Sequence, residues 1–299
     1  MSIGDFDFEA YDVEEEPEIK KPQKHPEKIL NDLYIVEKEI ARGGFGVVYK
    51  CLNKETGEKV AIKEIFKKEG KNLDMVLNEI KIGLLLSDCK YIVKMKGTFD
   101  NTYNHYIIFE YSEIGDLYYE IERKLNENKG YMRYKHFIPN DQVKNIIRDL
   151  CLALKCCHEK NICHNDIKPE NILIFKENGE YIYKLCDLGL SSVNKNKKEK
   201  INVGTKRFLA PEIWNQEDAH CDKSDLWSVG ILLYHLLTFE FIFSDVKHKF
   251  LSEIQYPSIR FVEQNNISKD AKNLILGLLK IDPNERLTID QILDHPFMK

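Results

Sequence analysis

The spacing of apolar residues changes its period near residue 111, and that change limits the chain to a fold with two unlike halves. Between residues 33 and 111 the apolar residues gather in short β-rich runs at 46–49, 60–65 and 105–111, broken by one helical stretch over 73–86. Runs of this kind pair into a mostly antiparallel sheet. Beyond residue 112 the spacing becomes helical, most clearly over 141–158, 224–237 and 269–279, where residues three and four apart share a face. The pattern predicts an α+β fold with a small β-rich N-lobe containing one main helix (29–111) and a larger helical C-lobe (112–299). A ligand cleft is expected where the lobes join, near 111–115. Residues 1–28 are rich in Asp and Glu, then in Lys and Pro, with no sustained period. They read as a flexible acidic extension.

Composition narrows the setting more than the function. A net charge of −5 over 299 residues gives no electrostatic reason for nucleic-acid binding. No apolar run approaches the roughly 18 residues of a membrane span, and the acidic N-terminus is unlike a secretory signal. A soluble, monomeric, cytoplasmic protein is expected, with a nuclear location left open. The eight cysteines are scattered through core-like segments and are expected to be free thiols in a reducing compartment. Cys156, Cys157, His158, Cys163 and His164 have metal-ligand types. They straddle a helix end and a loop without paired C-x-x-C knuckles, so a zinc site is set aside.

Four strings carry chemistry. Ile40-Ala41-Arg42-Gly43-Gly44-Phe45-Gly46-Val47-Val48-Tyr49 places glycines in a turn between strand-like runs, where backbone N–H groups can approach phosphates. Alone it fits any glycine-rich hairpin. Val60-Ala61-Ile62-Lys63 follows one hairpin later, so Lys63 can meet phosphate oxygens, with Glu79 on the following helix as its partner. His164-Asn165-Asp166-Ile167-Lys168-Pro169-Glu170-Asn171 then packs a carboxylate, an ammonium and a carboxamide into one short loop. A carboxylate there can accept a hydroxyl proton, a lysine can neutralise a transferred phosphoryl group, and an amide oxygen can ligate Mg²⁺. Asp187-Leu188-Gly189 follows an apolar run and supplies a second hard oxygen ligand.

With these strings in this order, the chain over residues 33–299 resembles the eukaryotic protein kinases of the serine/threonine type, among them the calmodulin-kinase-like enzymes. The resemblance implies the bilobal protein-kinase fold, ATP and Mg²⁺ as cofactors, and protein substrates bearing Ser or Thr. It makes Asp166 the catalytic base and Lys168 the group that stabilises the transferred phosphoryl. Asn171 and Asp187 become the Mg²⁺ ligands, and Lys63 with Glu79 positions the ATP phosphates. The glycine string from Ile40 to Val48, with Ala61, would contact the nucleotide. Glu110 and Ser112 would offer backbone groups to adenine, behind which Phe109 would limit access. Downstream, Gly204-Thr205, Ala210-Pro211-Glu212, Asp225-Leu226-Trp227 and Arg286 stand in the family's order, and the resemblance pairs Glu212 with Arg286. Lys168, two residues after the base, marks the serine/threonine form.

Four positions depart from the family pattern. Ala41 stands for the first loop glycine and Leu188 for the Phe of the metal-binding tripeptide. Gly83 replaces an apolar residue one turn after Glu79, which is expected to loosen that helix. Asn165 replaces the Arg that receives an activation-loop phosphate in many kinases, so activity is expected not to need that phosphate. The pattern leaves a catalytically weak pseudokinase scaffold as the alternative. Residues 122–137 are expected to form a surface loop. Peptide preference stays open: Asp116 and Glu170 match positions that bind arginine-containing peptides, whereas the lysines of 195–200 with Lys206 and Arg207 form either a solvated loop or an acid-attracting face.

Overall fold

The computed structural model describes residues 27–43, 46–67, 73–127, 138–193, 204–214, 221–242 and 267–299. Helix α1 (Glu27–Leu33) leads into strands β1 (Tyr34–Gly43), β2 (Gly46–Asn53) and β3 (Lys59–Phe66), followed by helix α2 (Leu73–Leu85) and strands β4 (Met95–Asp100) and β5 (Asn104–Glu110). These strands form one antiparallel sheet in the order β1-β2-β3-β5-β4. Alternation puts Val48, Ala61 and Lys63 on one face, because Val48 lies opposite Lys63, while neighbouring Val47 lies opposite Glu64 on the other. Gly46 is dictated by packing, since a Cβ there would lie 1.9 Å from the Glu64 carbonyl oxygen.

The second lobe is built on α4 (Asn140–Glu159) and α6 (Cys221–Thr238), with α3 (Leu117–Glu127), α5 (Pro211–Trp214), α7 (Lys269–Leu278) and α8 (Ile289–Leu293) around them. Two short ribbons complete it, β6 (Ile162–Cys163) with β9 (Ser192–Val193), and β7 (Ile172–Glu177) with β8 (Glu180–Leu185). Helix α4 buries Val143, Ile146, Ile147, Leu150 and Leu154, which recur at three- and four-residue spacing. They join Trp227, Val229 and Leu232 of α6 in the largest core cluster. That cluster also takes in Ile82 and Leu86 at the end of α2, so the two lobes share apolar packing there. No described helix is long and apolar enough to cross a membrane.

The structure corrects three expectations. Helix α3 runs through Glu127 and so takes in the first six residues of the expected surface loop; buried Leu117 and Ile121 anchor it, and Glu120 pairs with Arg123 and Lys124 one turn on. Residues 128–137 of that loop lie outside the described residues. Gly83 does not leave a hole, because the Met95 thioether fills the space 3.4 Å from where a Cβ would stand. The cysteines are not all free thiols: the turn after α2 brings Cys89 to Cys156 of α4 with Cα atoms 6.3 Å apart, and the two form a disulfide. Cys163 is disulfide-bonded as well, while Cys51, Cys151, Cys157 and Cys186 are free.

Candidate active site

The loop between β6 and β7 carries the central group. Asp166 is buried, and each of its oxygens has partners. Oδ2 meets the Lys168 ammonium at 2.7 Å and accepts from the Asn171 amide at 3.0 Å; Oδ1 accepts from the Thr205 backbone N–H at 2.9 Å and its hydroxyl at 2.8 Å. Lys168 also donates to the Thr205 hydroxyl at 3.0 Å. The Asn171 amide N–H₂ is turned inward, since it also donates to the Asp166 carbonyl at 2.8 Å. Its amide oxygen therefore faces away and accepts no hydrogen bond among the described residues.

Long-range contacts hold this loop in shape. Asp225, buried at the start of α6, accepts from the backbone N–H groups of His164 (3.0 Å) and Asn165 (2.9 Å) and contacts the His158 ring at 2.9 Å. Asn165 adopts a left-handed conformation with φ 67°, which Asn tolerates better than most residues. Its amide donates to the Leu190 carbonyl and the Ser192 hydroxyl, both at 3.0 Å, tying the loop directly to the segment that follows Asp187. Gly204 is required beside it: its φ is 111°, and a Cβ would sit 2.5 Å from the Asn165 carbonyl oxygen.

Across the cleft, Lys63 of β3 sits between two carboxylates. Its ammonium is 2.8 Å and 2.9 Å from the Glu79 oxygens on α2 and 2.8 Å from Asp187 Oδ1. Burial alone would lower the Lys63 pKa, but Glu79 and Asp187 outweigh it and raise the value, so the amine stays charged. Burial lifts the Glu79 carboxyl above the usual carboxylate range, only partly offset by Lys63. Burial also opposes ionisation of Asp187, yet the Lys63 ammonium holds that carboxyl below its ordinary value. Asp187 has the left-handed φ of 61°, follows the end of β8, and is the most solvent-facing member, its side chain 44% exposed.

The donor set suits a hard cation: the ionised Asp187 carboxylate reaches solvent, and the Asn171 amide oxygen has no protein partner among the described residues. Of the residues expected to contact a nucleotide, Val48, Ala61 and Phe109 fall on the Lys63 face of the sheet, with Ala61 opposite Phe109. Val47 is buried on the opposite face and is not brought to the cleft. Of the glycine string, Ile40 and Ala41 are exposed on β1, Arg42 pairs with Glu39, and Gly43 and Gly46 face each other at the hairpin tip; Gly44 and Phe45 lie outside the described residues.

At the hinge, Glu110 N–H donates to the Lys94 carbonyl at 3.0 Å, and the Glu110 carboxylate takes Lys184 at 3.0 Å and 3.1 Å. The Ser112 hydroxyl is buried and donates to the Ile174 carbonyl. Cys186, next to Asp187, has its thiol pKa pushed well up by burial, then by the Asp187 charge, and so remains a weak nucleophile near neutral pH.

The sequence strings did not announce the anchoring role of Asp225, the Lys184–Glu110 pair across the hinge, or the Asn165 bonds to Leu190 and Ser192. Only Asp225 carried a signal, as the first residue of the Asp225-Leu226-Trp227 string.

A family model described as the protein kinase domain matches residues 34–298 of the chain. The chain belongs to the eukaryotic serine/threonine protein kinase family. It is 28% identical over 90% of its length to the "Probable serine/threonine-protein kinase nek1" of Dictyostelium discoideum, of which it covers 57%. It is 31% identical over 90% of its length to "Calcium-dependent protein kinase 3" of Plasmodium berghei, covering 47% of that protein. A probable myosin light chain kinase of Dictyostelium discoideum is 33% identical over 90% of this kinase and is covered to 67%. The chain thus spans roughly half to two thirds of these relatives.

Proposed function

We propose that this kinase transfers the γ-phosphoryl group of ATP to serine or threonine hydroxyls of protein substrates. The observation that carries the reading is the convergence on Asp166 of Lys168, Asn171 and Thr205, all at hydrogen-bonding distance. A substrate hydroxyl replacing Thr205 at Asp166 Oδ1 gives its proton to that carboxylate. As the hydroxyl oxygen bonds to phosphorus, the bond from phosphorus to the β,γ-bridging oxygen breaks and ADP leaves with the electron pair. Lys168, already 2.7 Å from the base, offers its charge to the oxygens of the group in flight.

Asn171 and Asp187 are the residues that would hold Mg²⁺, which when bound neutralises phosphate charge. Lys63, fixed by Glu79, would orient the phosphates, with Val48, Ala61 and Phe109 lining the base pocket and backbone groups of the glycine string, Glu110 and Ser112 completing it. The Asn165 bonds to Leu190 and Ser192 support activity without an activation-loop phosphate, because a neutral amide already makes the link. Phosphatase treatment is expected to leave the rate unchanged, and a loss reversed by rephosphorylation would defeat that part.

The primary test is incubation with ATP and Mg²⁺ and a mixed protein substrate, followed by phosphoamino-acid analysis. Phosphoserine or phosphothreonine is expected from the wild type, with a loss of roughly a thousandfold in Asp166→Asn. Nucleotide binding without transfer by the wild type would mark a pseudokinase scaffold instead.

A further inference from the structure

The turn that follows Thr205 carries two cations that the phosphoryl-transfer chemistry does not use. Thr205 is held against Asp166 by its backbone N–H and its hydroxyl, and the 3₁₀ turn Lys206–Phe208 begins with the very next residue. That turn is fixed in place. Phe208 is buried, its N–H donates to the Thr205 carbonyl at 2.9 Å, and its own carbonyl accepts from the Ser228 hydroxyl at 2.8 Å.

Lys206 and Arg207 are exposed on this rigid turn. The Arg207 guanidinium lies 4.8 Å from the centre of the Phe241 ring. Phe241 in turn stacks on His235, with centroids 4.3 Å apart, and meets Phe208 edge-on at 6.1 Å. A guanidinium held by its face against a ring keeps its N–H edges free for a carboxylate fork. Among the described residues no carboxylate makes an ion pair with Lys206 or Arg207, whereas Lys63, Lys168, Lys184 and Arg286 are each paired. The acids near this stack leave the two cations unpaired: Glu122 lies close enough to act on the His235 ring together with Arg207, and exposed Glu240 is next to Phe241, yet neither makes an ion pair with Arg207 or Lys206.

Reach sets the register. Each residue spans at most about 3.6 Å, so Lys206 and Arg207 lie within two residues' length of the group that touches Asp166. We propose that Lys206 and Arg207 select substrates carrying an Asp or Glu within three residues of the target hydroxyl, on one flank only. Both cations sit on this one turn, on one side of the hydroxyl that meets Asp166, so acid is selected on that flank alone. This specificity rests on the kinase reading above.

The test uses the full chain with ATP, Mg²⁺ and a panel of serine peptides in an alanine and glycine background, with Asp, Lys or Ala placed singly at each of the three positions on either side. The expected result is a position on one flank where Asp raises kcat/KM about tenfold over Ala, through KM, the value of one charge-assisted hydrogen bond. The advantage should shrink in salt. Arg207→Ala and Lys206→Ala should each cut the Asp-to-Ala ratio severalfold, Arg207→Lys should restore much of it, and Arg207→Glu should turn the preference towards Lys. A purely structural role would lower all peptides alike and leave the ratio untouched. Equal use of Asp and Ala at every position by the wild type, or a ratio that survives the double substitution to Ala, overturns the proposal while leaving the kinase reading intact. Failure to phosphorylate any peptide or the mixed protein substrate would sink the kinase reading, and this proposal with it.

Discussion

Two buried ion pairs in this kinase look alike on paper and differ in what surrounds them. Arg286 and Glu212 are sealed, with side chains 0% and 3% exposed, and meet in a two-pronged contact at 2.6 Å on each prong. Every guanidinium N–H has an acceptor: Nε donates to the Lys280 carbonyl, and the two terminal nitrogens add the carbonyls of Lys223 and Ile281. Ser224 donates to Glu212, and Trp227 covers the guanidinium face. Charge there is balanced and solvent is excluded. Lys63 and Glu79 also meet at 2.8 Å, but a second carboxylate, Asp187, shares the lysine and faces the cleft. One cation among two anions leaves a site short of positive charge and open on one side. The first arrangement holds the α5 and α6 region together; the second is built to receive something.

Breaking the sealed pair gives the largest stability effect. Arg286→Ala strands a buried carboxylate and is expected to cost about 3 to 5 kcal/mol, read as a lower urea midpoint and, for a chain of this size, a fall of roughly 10 °C in Tm. A cost under about 1 kcal/mol would show that the pair is not what fixes that region.

The open pair should fail differently. Glu79→Gln keeps the shape but frees Lys63 to drift towards Asp187, so phosphoryl transfer should fall on the order of a hundredfold through misplacement. Because burial already lifts the Glu79 carboxyl, stability should change by less than about 1 kcal/mol in urea unfolding. A variant that loses both together would erase the contrast.

The pH dependence sharpens it further. Asp187 is held below its ordinary value by Lys63, so in the window below about pH 4 the unfolded chain binds the proton more readily than the folded one. Its stabilising contribution is therefore present above the ordinary aspartate pKa and is lost as pH falls through the lowered value. Urea midpoints measured from pH 5 to pH 3 should fall less steeply in Asp187→Asn than in the wild type. Equal slopes would mean that Lys63 does not hold Asp187 ionised.

Much of this was readable before any coordinates. The helices expected at 141–158 and 269–279 appear as Asn140–Glu159 and Lys269–Leu278, because their apolar faces repeat every three to four residues over several turns. Asp166, Lys168 and Asn171 could be found because they lie within six consecutive positions of one loop. What stayed hidden depends on chain segments far apart. Asp225 reaches His164 across 61 positions and Lys184 reaches Glu110 across 74, and no local string encodes either contact. Cys89 and Cys156 are 67 positions apart and meet only because the turn after α2 packs on α4. Gly83 looked like a defect because the filler, Met95, comes from a neighbouring strand. The end of α3 is hidden in the sequence for a different reason: its polar composition resembles a loop, while its i,i+3 and i,i+4 pairs keep it helical.

The most direct measurement follows phosphate transfer and thermal unfolding on the same preparation of Lys63→Met. Loss of the ammonium lets Glu79 take up a proton in its buried site, so unfolding should stay within a few degrees of the wild type, as a cost below about 2 kcal/mol implies. Transfer from ATP to protein serine or threonine should fall by at least about a hundredfold. A folded Lys63→Met protein that still transfers phosphate at the wild-type rate would contradict the assignment of the open pair to catalysis.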